Sequence, residues 1–342
     1  MLKTPHLGLL VALPLFLLAT STFSSLNAAT SGAASTGVTK FDSPLGIAAI
    51  GSHVWVANAA NNSVTELKTS DGSLVRVIKA KNDGFNTPIA IGVFKSNVWV
   101  VNKSGNSVTE LNASTGALER VIEGAMYGFS NPIGLAFLGS YVWVASEDNA
   151  VTEFSAINGT LIRVLRAKAY GFDNPVNIVV AGPDAWVTNE AGDSVTEVNA
   201  STGRLVRVVK SPADGFVSPL GVAVGGGHVW VSNASGDSIT ELNASNGSLV
   251  RVVKSPNDKF AAPWNMTLSN SRLWIVNANG NSVTELNASN GSLVRVVKAK
   301  ADRFNNPIDV AVKSSIVWVV NGADSTVTEL SASAGSFVRL IR

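Results

Sequence analysis

The sequence predicts an all-β fold, a closed ring of seven four-stranded antiparallel sheets, on three observations. The 342 residues are 46% hydrophobic and 15% charged with a net charge of +2, which excludes a disordered chain. Thirty glycines and twelve prolines, without a convincing helical period, are typical of many short strands joined by tight turns. A unit of 43 or 44 residues recurs seven times. A β-rich repeat of about 40–45 residues indicates the blades of a seven-bladed β-propeller.

The N-terminus has the layout of an export signal. Lys3 precedes an apolar run, Leu7–Ala19, and small and polar residues follow it. This order predicts a signal peptide over residues 1–29, cleaved after Ala28 or Ala29. The run is shorter than the roughly 20 residues that span a bilayer as a helix. A retained membrane anchor is the alternative.

Cleavage would leave a short linker, residues 30–40, and the propeller, residues 41–342. We therefore expect a secreted or periplasmic, monomeric protein without a membrane span in its mature chain. The sequence has no cysteine, which excludes disulfides, thiol catalysis and thiolate metal sites.

Each repeat contains four predicted strands in a fixed order. An F-x-x-P element precedes the first strand, a Trp lies in the second, V/I-T-E marks the third, and an Arg between aliphatic residues marks the fourth. In the second copy the predicted strands are Ile89–Val93, Asn97–Val101, Ser107–Leu111 and Leu118–Ile122. The last copy ends with its own Arg-bearing strand. Closure of the ring is therefore predicted not to need a strand from the N-terminus.

Several repeats resemble the bacterial YVTN/NHL-type propeller repeats. The resemblance rests on VWVAN at Val54–Asn58, VWVVN at Val98–Asn102 and VWVSN at Val229–Asn233, each followed by an SVTELNASTG-like string. Trp replaces the tyrosine of the family tetrapeptide, and the likeness covers the whole predicted mature chain. It implies the propeller fold and leaves the function open, because such rings serve as lyases, lactonases and binding modules.

Residues found in all seven copies are predicted to be scaffold. The repeated Trp is expected between blades. A Glu and an Arg ten residues apart, such as Glu66 and Arg76, are expected to pair across a three-residue loop with Gly72 left-handed. We expect an exposed ladder of such weak pairs, so that Glu241→Gln would barely change the melting temperature.

A ligand site is expected where the copies differ near the ring axis. The second residue after the repeated Pro is Gly or Ala in four copies and is Asn177, Asn265 or Asp309 in the others; Trp264 adjoins this position. These four residues are predicted to meet at one mouth of the channel and to bind a polar ligand or sugar. A divalent cation in the channel is left open. The alternative is that a water-filled channel simply tolerates polar residues.

Other titratable groups favour no catalytic or metal site. His53 and His228 are placed in exposed turns on the opposite face from Asp309, and three histidines in all argue against a zinc centre. Lysines of the inter-blade loops are expected to be offset by four neighbouring carboxylates. Those carboxylates are Asp83, Asp214, Asp258 and Asp302. Without a basic stripe, no nucleic-acid partner is predicted.

The predicted function is a non-catalytic binding or interaction module for an unidentified protein or a small polar or saccharide ligand. The alternative is a propeller-type lyase or lactonase with a site at the channel mouth. Resemblance to streptogramin lyases implies a catalytic His near acidic groups there, and neither His53 nor His228 has that placement. A propeller lactonase implies several Glu, Asp or Asn ligands to a cation, which Asn177, Asn265 and Asp309 do not fully supply. No catalytic residue, metal ligand or cofactor is predicted.

Overall fold

The computed structural model describes residues 40–79, 81–166, 168–298 and 304–342, and it confirms the predicted seven-bladed β-propeller. Seven sheets follow one another along the chain, and each consists of four consecutive antiparallel strands. They are numbered here as blades 1 to 7. The predicted signal peptide and all of the linker except Lys40 lie outside the described residues.

The strands recur at nearly constant intervals. Blades 1 and 2 contain β1 Pro44–Ile50, β2 His53–Asn58, β3 Ser63–Lys68, β4 Leu74–Ile78, β5 Pro88–Phe94, β6 Asn97–Asn102, β7 Ser107–Asn112 and β8 Leu118–Ile122. Blades 3 and 4 contain β9 Pro132–Leu138, β10 Tyr141–Ser146, β11 Ala150–Ser155, β12 Leu161–Leu165, β13 Pro175–Ala181, β14 Asp184–Asn189, β15 Ser194–Asn199 and β16 Leu205–Val209. Blades 5 and 6 contain β17 Pro219–Gly225, β18 His228–Asn233, β19 Ser238–Asn243, β20 Leu249–Val253, β21 Pro263–Ser269, β22 Arg272–Asn277, β23 Ser282–Asn287 and β24 Leu293–Val297. Blade 7 contains β25 Pro307–Lys313, β26 Ile316–Asn321, β27 Thr326–Ser331 and β28 Phe337–Ile341. Within the described residues, single 3-10 turns lie in three inter-blade loops, at Ala125–Tyr127, Lys168–Tyr170 and Pro212–Asp214.

The first strands of neighbouring blades lie side by side around the axis. Each begins at the repeated Pro, a position where the missing N–H is tolerated because it starts the strand. We call the side on which these strands begin the entry face. It carries the inter-blade loops and the turns between second and third strands. The other side, with the remaining turns, is the exit face.

The repeated Trp fills the space between blades, as predicted. All seven are 0–1% exposed. Trp55, for example, packs with Val98, Val100 and Leu111 of blade 2. Burying so large a side chain at every junction supplies much of the apolar area that holds the blades together.

Turns on the entry face add one polar link per junction. In blade 2, Asn106 adopts a positive φ of 48°, and its Oδ1 accepts the N–H of Asn131 in blade 3 at 2.8 Å. The shortened turn of blade 3 keeps this link, because Asn149 Oδ1 accepts the N–H of Asn174 at 2.8 Å. The shortening is therefore a tolerated variant of the turn.

Blades 1 and 7 meet without sharing a strand, which confirms the predicted closure. Phe41 and Ile47 of blade 1 pack with Trp318 and Ile341 of blade 7. On the entry face the N–H of Ser43 donates to Ser325 Oγ at 3.1 Å, the same link in a different residue type.

Candidate ligand site at the channel mouth

Three polar side chains from non-equivalent blades meet in one layer of the channel. Asn177 Nδ2 of blade 4 donates to Asn265 Oδ1 of blade 6 at 3.3 Å. Asn265 Nδ2 then donates to Asp309 Oδ1 of blade 7 at 2.7 Å. Asp309 Oδ2 accepts the N–H of Ile47 in blade 1 at 2.9 Å. The structure thus brings together the three polar residues singled out from the sequence, and we call them the channel layer.

A glycine in blade 5 makes this contact sterically feasible. A Cβ at Gly221 would lie 2.7 Å from the carbonyl oxygen of Trp264 and 3.0 Å from the Cα of Asn265. Both distances are below normal contact, so blade 5 can place no side chain in this layer. Asn177 therefore reaches past blade 5 to blade 6.

The amide N–H groups of the layer all donate toward blade 7, which explains why the residue there is a carboxylate. Each amide oxygen accepts the N–H of the following residue, Ile178 for Asn177 and Met266 for Asn265. Asp309 has to accept from Asn265, from its neighbour Val310 and from Ile47, and only an acceptor on both oxygens can do so. Burial raises the pKa of Asp309 to about 7, although these hydrogen bonds oppose the shift.

Most of the oxygen lone pairs of the channel layer are used by hydrogen bonds within the ring. Both oxygens of Asp309 and the amide oxygens of Asn177 and Asn265 already face N–H donors. A hard cation needs about six oxygen ligands with free lone pairs. Within the described part of the chain, no group of three or more His, Cys, Asp or Glu side chains could hold a metal ion.

Trp264 differs from the other seven tryptophans in being only half-buried. It packs on Val176 and Leu220, which occupy the equivalent position in blades 4 and 5. Its carbonyl oxygen accepts the hydroxyl of Ser232 at 2.7 Å, which ties blade 6 to blade 5. The indole therefore lies at the entry mouth beside the channel layer, with part of its surface accessible.

Sequence reasoning missed a charged arc at the same mouth. The residue directly after each second strand packs near the mouth, as Ala234 does against Leu220 and Trp264. That residue is small in blades 1, 5, 6 and 7 and is charged in blades 2, 3 and 4. The charged residues are Lys103, Glu147 and Glu190, which we call the mouth arc.

Two members of the mouth arc form an ion pair, and the arc carries one net negative charge when all three residues are ionised. Lys103 Nζ lies 2.6 Å from Glu147 Oε1, and Asn174 Nδ2 donates to Glu190 Oε2 at 2.9 Å. Burial, followed by the charge of Glu147, raises the pKa of Glu190. In a ring of seven, blade 6 lies across from blades 2 and 3, so Trp264 is opposite Lys103 and Glu147, while Glu190 of blade 4 is nearer to the indole. Comparing the residue four positions after the repeated Trp in all seven copies would have revealed the arc.

The Glu–Arg pairs form in all seven blades, in the predicted register. The Arg Nε to Glu Oε2 distances are 2.6–3.1 Å. The connecting loop is longer than expected, since β3 ends at Lys68 and β4 begins at Leu74, with Gly72 left-handed as predicted.

The exposed character predicted for this ladder is wrong. The glutamates are only 0–2% exposed, because the turn of the next blade covers them. Arg120 pairs with Glu110 of its own blade and donates through Nη2 to the carbonyl of Ile157 in blade 3 at 3.0 Å. The arginines of blades 1 to 6 all donate to the next blade in this way, so we call the Glu–Arg pairs clamps. For Glu241→Gln we now expect a loss of several degrees in melting temperature, since one partner of a buried pair is neutralised.

The residue two positions before the Trp varies between blades, and in four blades it contacts the clamp glutamate. Two residues before the Trp, His53 and His228 place Nδ1 2.9 and 2.7 Å from the glutamate of their own blade. These histidines are half-buried partners of a carboxylate, so the expectation that they are exposed turn residues is wrong. Asn97 and Arg272 contact the glutamate in the same way in blades 2 and 6.

The remaining three blades carry Tyr141, Asp184 and Ile316 at this position. Burial raises the pKa of all seven glutamates. The pKa reaches about 7 for the glutamates that lack a second donor beside the arginine. These are Glu153, Glu197 and Glu329.

The fold and the site define a seven-bladed β-propeller with an asymmetric polar channel. No family model and no curated protein matches the chain. Three solved structures share the fold: a hydrazine synthase from Kuenenia stuttgartiensis, a virginiamycin B lyase from Staphylococcus aureus in a catalytically inactive form with quinupristin, and a streptogramin B lyase. Their TM-scores are 0.73, 0.70 and 0.69, and their identities 15%, 18% and 17%.

These matches cover 90%, 84% and 85% of this chain and 100%, 94% and 94% of the respective neighbours. At such identities the likeness is one of fold. Among the described residues, no helix is long and apolar enough to cross a membrane.

Proposed function

We propose that this chain is an exported, non-catalytic propeller module of the YVTN/NHL type that binds a small saccharide at its entry mouth. The observation that carries the proposal is Trp264, the one partly exposed indole among eight, beside an amide and carboxyl layer and across from Lys103 and Glu147 of the mouth arc. An aromatic face suits the apolar side of a sugar ring, and amides and carboxylates suit its hydroxyls. Export is supported by the N-terminal sequence, and mass spectrometry of the exported protein should find a mature N-terminus after Ala28 or Ala29.

The fluorescence of Trp264 provides a built-in test. Because the other seven indoles are buried, acrylamide should quench Trp264 selectively. A glycan array would identify a bound saccharide, whose titration should then protect Trp264 from quenching. Trp264→Ala and Asn265→Ala should each abolish binding, whereas Trp274→Phe, at a buried repeated position, should leave it unchanged. Binding that survives both mouth substitutions would contradict the site.

The lyase or lactonase alternative makes a different prediction about the bound compound. A binding module returns it with unchanged mass, whereas an eliminase or hydrolase does not. His228 and Glu241 lie toward the exit face, away from the mouth. Asp309 is the one titratable group of the channel layer, and both of its oxygens are held by N–H donors. Mass spectrometry of the ligand after prolonged incubation distinguishes the two readings.

A further inference from the structure

Exposed lysines are concentrated on the inter-blade loops at the perimeter of the entry face. They occur in the loops that follow blades 1, 3, 4, 5 and 6, and all are exposed. We call them the basic perimeter: Lys79, Lys81, Lys168, Lys210, Lys254, Lys259 and Lys298. Exposed acids in the described parts of the inter-blade loops are Glu123, after blade 2, and Asp173, after blade 3.

The carboxylates expected to offset these lysines are turned inward. Asp83, Asp214 and Asp258 are only 4–5% exposed. Asp214 Oδ2 accepts the N–H of Ser211 at 2.8 Å and so caps its own loop. Their carboxyl groups offset the lysines from below the surface and are not presented to a partner in solvent, while Asp302 lies outside the described residues. The perimeter presents more positive charge to solvent than its sequence suggests.

Exposed acids of the entry face lie closer to the axis. Asp148, Asp193, Asp237 and Asp324 are exposed in turns between the second and third strands. The entry face thus has an outer basic ring around an inner acidic one. A flat anionic surface would meet both rings and be partly repelled. A linear polyanion can follow the outer ring alone.

The aromatic residues of these loops argue against a nucleic acid. Tyr127 and Tyr170 stack on Phe129 and Phe172, and their hydroxyls donate to carbonyls of neighbouring turns at 2.7 Å. The described loops therefore offer no free aromatic platform on which bases could stack, and stacking supplies much of single-strand affinity. Lysines that have no exposed aromatic ring beside them can still form ion pairs with sulfate or carboxylate groups.

We propose that the basic perimeter binds a linear acidic polysaccharide, carboxylated or sulfated. The surface is independent of the channel mouth, so the two proposals can fail separately. The partner lies along the rim of the ring and makes ion pairs with successive loops. Binding weakens as salt rises, because each pair is exposed and screened.

The test uses heparin and polygalacturonate as probes for the full mature protein at low salt. The variant is the triple charge reversal Lys210→Glu, Lys254→Glu and Lys298→Glu. The control triple, Lys68→Glu, Lys95→Glu and Lys313→Glu, changes the net charge equally on the exit face. We expect the perimeter triple to weaken binding roughly tenfold or more and the control to leave it nearly unchanged.

Three results would overturn the proposal. Neither probe binds; both triples weaken binding equally, which would indicate non-specific attraction; or an oligothymidylate or anionic lipid vesicle binds more tightly than both polysaccharides. Circular dichroism of both triples establishes that the fold is intact. Saccharide protection of Trp264 should persist in the perimeter triple.

Discussion

The clamps and the channel layer both contain buried carboxyl groups, but they connect the blades of the ring in different ways. The Glu–Arg pairs occur seven times, and in six blades the arginine also donates to a carbonyl of the next blade in sequence. The channel layer occurs once and joins blades 4 and 6, 6 and 7, and 7 and 1. Residues that recur in every blade therefore stabilise all junctions in the same way. Residues that occur once make contacts that depend on which blades face one another.

The two regions also differ in how charge is balanced. A clamp glutamate faces an arginine, so its ionised form has a cationic partner. Asp309 faces neutral N–H donors only. The variants below use this difference.

The largest effect is expected from Arg163→Met in blade 3. It removes the cation beside the buried Glu153 and the hydrogen bond to the carbonyl of Ser201. Removing one partner of a buried pair should lower the free energy of unfolding by about 3 kcal/mol at pH 8. At pH 5 the loss should be smaller, because Glu153, with a pKa of about 7, is then protonated. Urea unfolding measures both values, and Arg204→Met, at an exposed arginine, is the control.

A smaller effect with the opposite pH dependence is expected from Asp309→Ala. The change leaves the N–H groups of Ile47 and Val310 without their acceptor, which should cost about 2 kcal/mol at pH 5. At pH 8 the loss should shrink, since the native protein then carries a buried carboxylate that the variant lacks. Asp324→Ala, exposed in the same blade, should change neither value. Equal losses at both pH values would contradict a raised pKa at Asp309.

The unmodified protein should itself lose stability between mildly acidic and neutral pH. Burial raises the pKa of Glu153, Glu197, Glu329 and Asp309 to about 7 in the folded state. Between the unfolded pKa, about 4, and about 7, the folded state therefore binds more protons. The stability that this proton binding adds is fully present below the unfolded pKa and disappears as pH rises through 7. Urea titrations from pH 4 to 8 should show a decline, and a rise over this interval would contradict it.

The smallest effect is expected from Tyr141→His. It gives blade 3 the histidine that blades 1 and 5 already place beside their glutamate. The new pair should raise the free energy of unfolding by up to about 1 kcal/mol at pH 7, because the histidine stays partly solvated. Tyr141→Phe should have no such effect. A gain in both variants would point to packing instead of charge.

The repeats made the fold predictable in detail. The fixed ten-residue separation of Glu66 and Arg76 predicted their cross-strand register, and the Trp series predicted the blade junctions. The burial of the glutamates could not be predicted, because it depends on a turn from the next blade. That turn approaches so closely that a Cβ at Gly116 would lie 2.9 Å from the Cδ of Arg76.

The candidate site was predictable only in part. Asn177, Asn265 and Asp309 share one position of the repeat, so ring closure alone brings them to one height. The mouth arc lies at a different position, after the second strand, where no single copy looks unusual. Aligning the copies shows that Lys103, Glu147 and Glu190 share a position, but their contact depends on the packing of neighbouring blades.

Blades 1 and 7 each take all four strands from one stretch of chain, and this affects the order in which the ring forms. Six junctions join blades that are adjacent in the chain, and their turn-to-loop links span 25 residues. At the seventh, the corresponding link from Ser43 to Ser325 spans 282 residues. Bringing such distant segments together costs about 2 kcal/mol more loop-closure entropy than a span of 25 residues. This junction is thus the one that should form last as the chain folds and separate first as it opens.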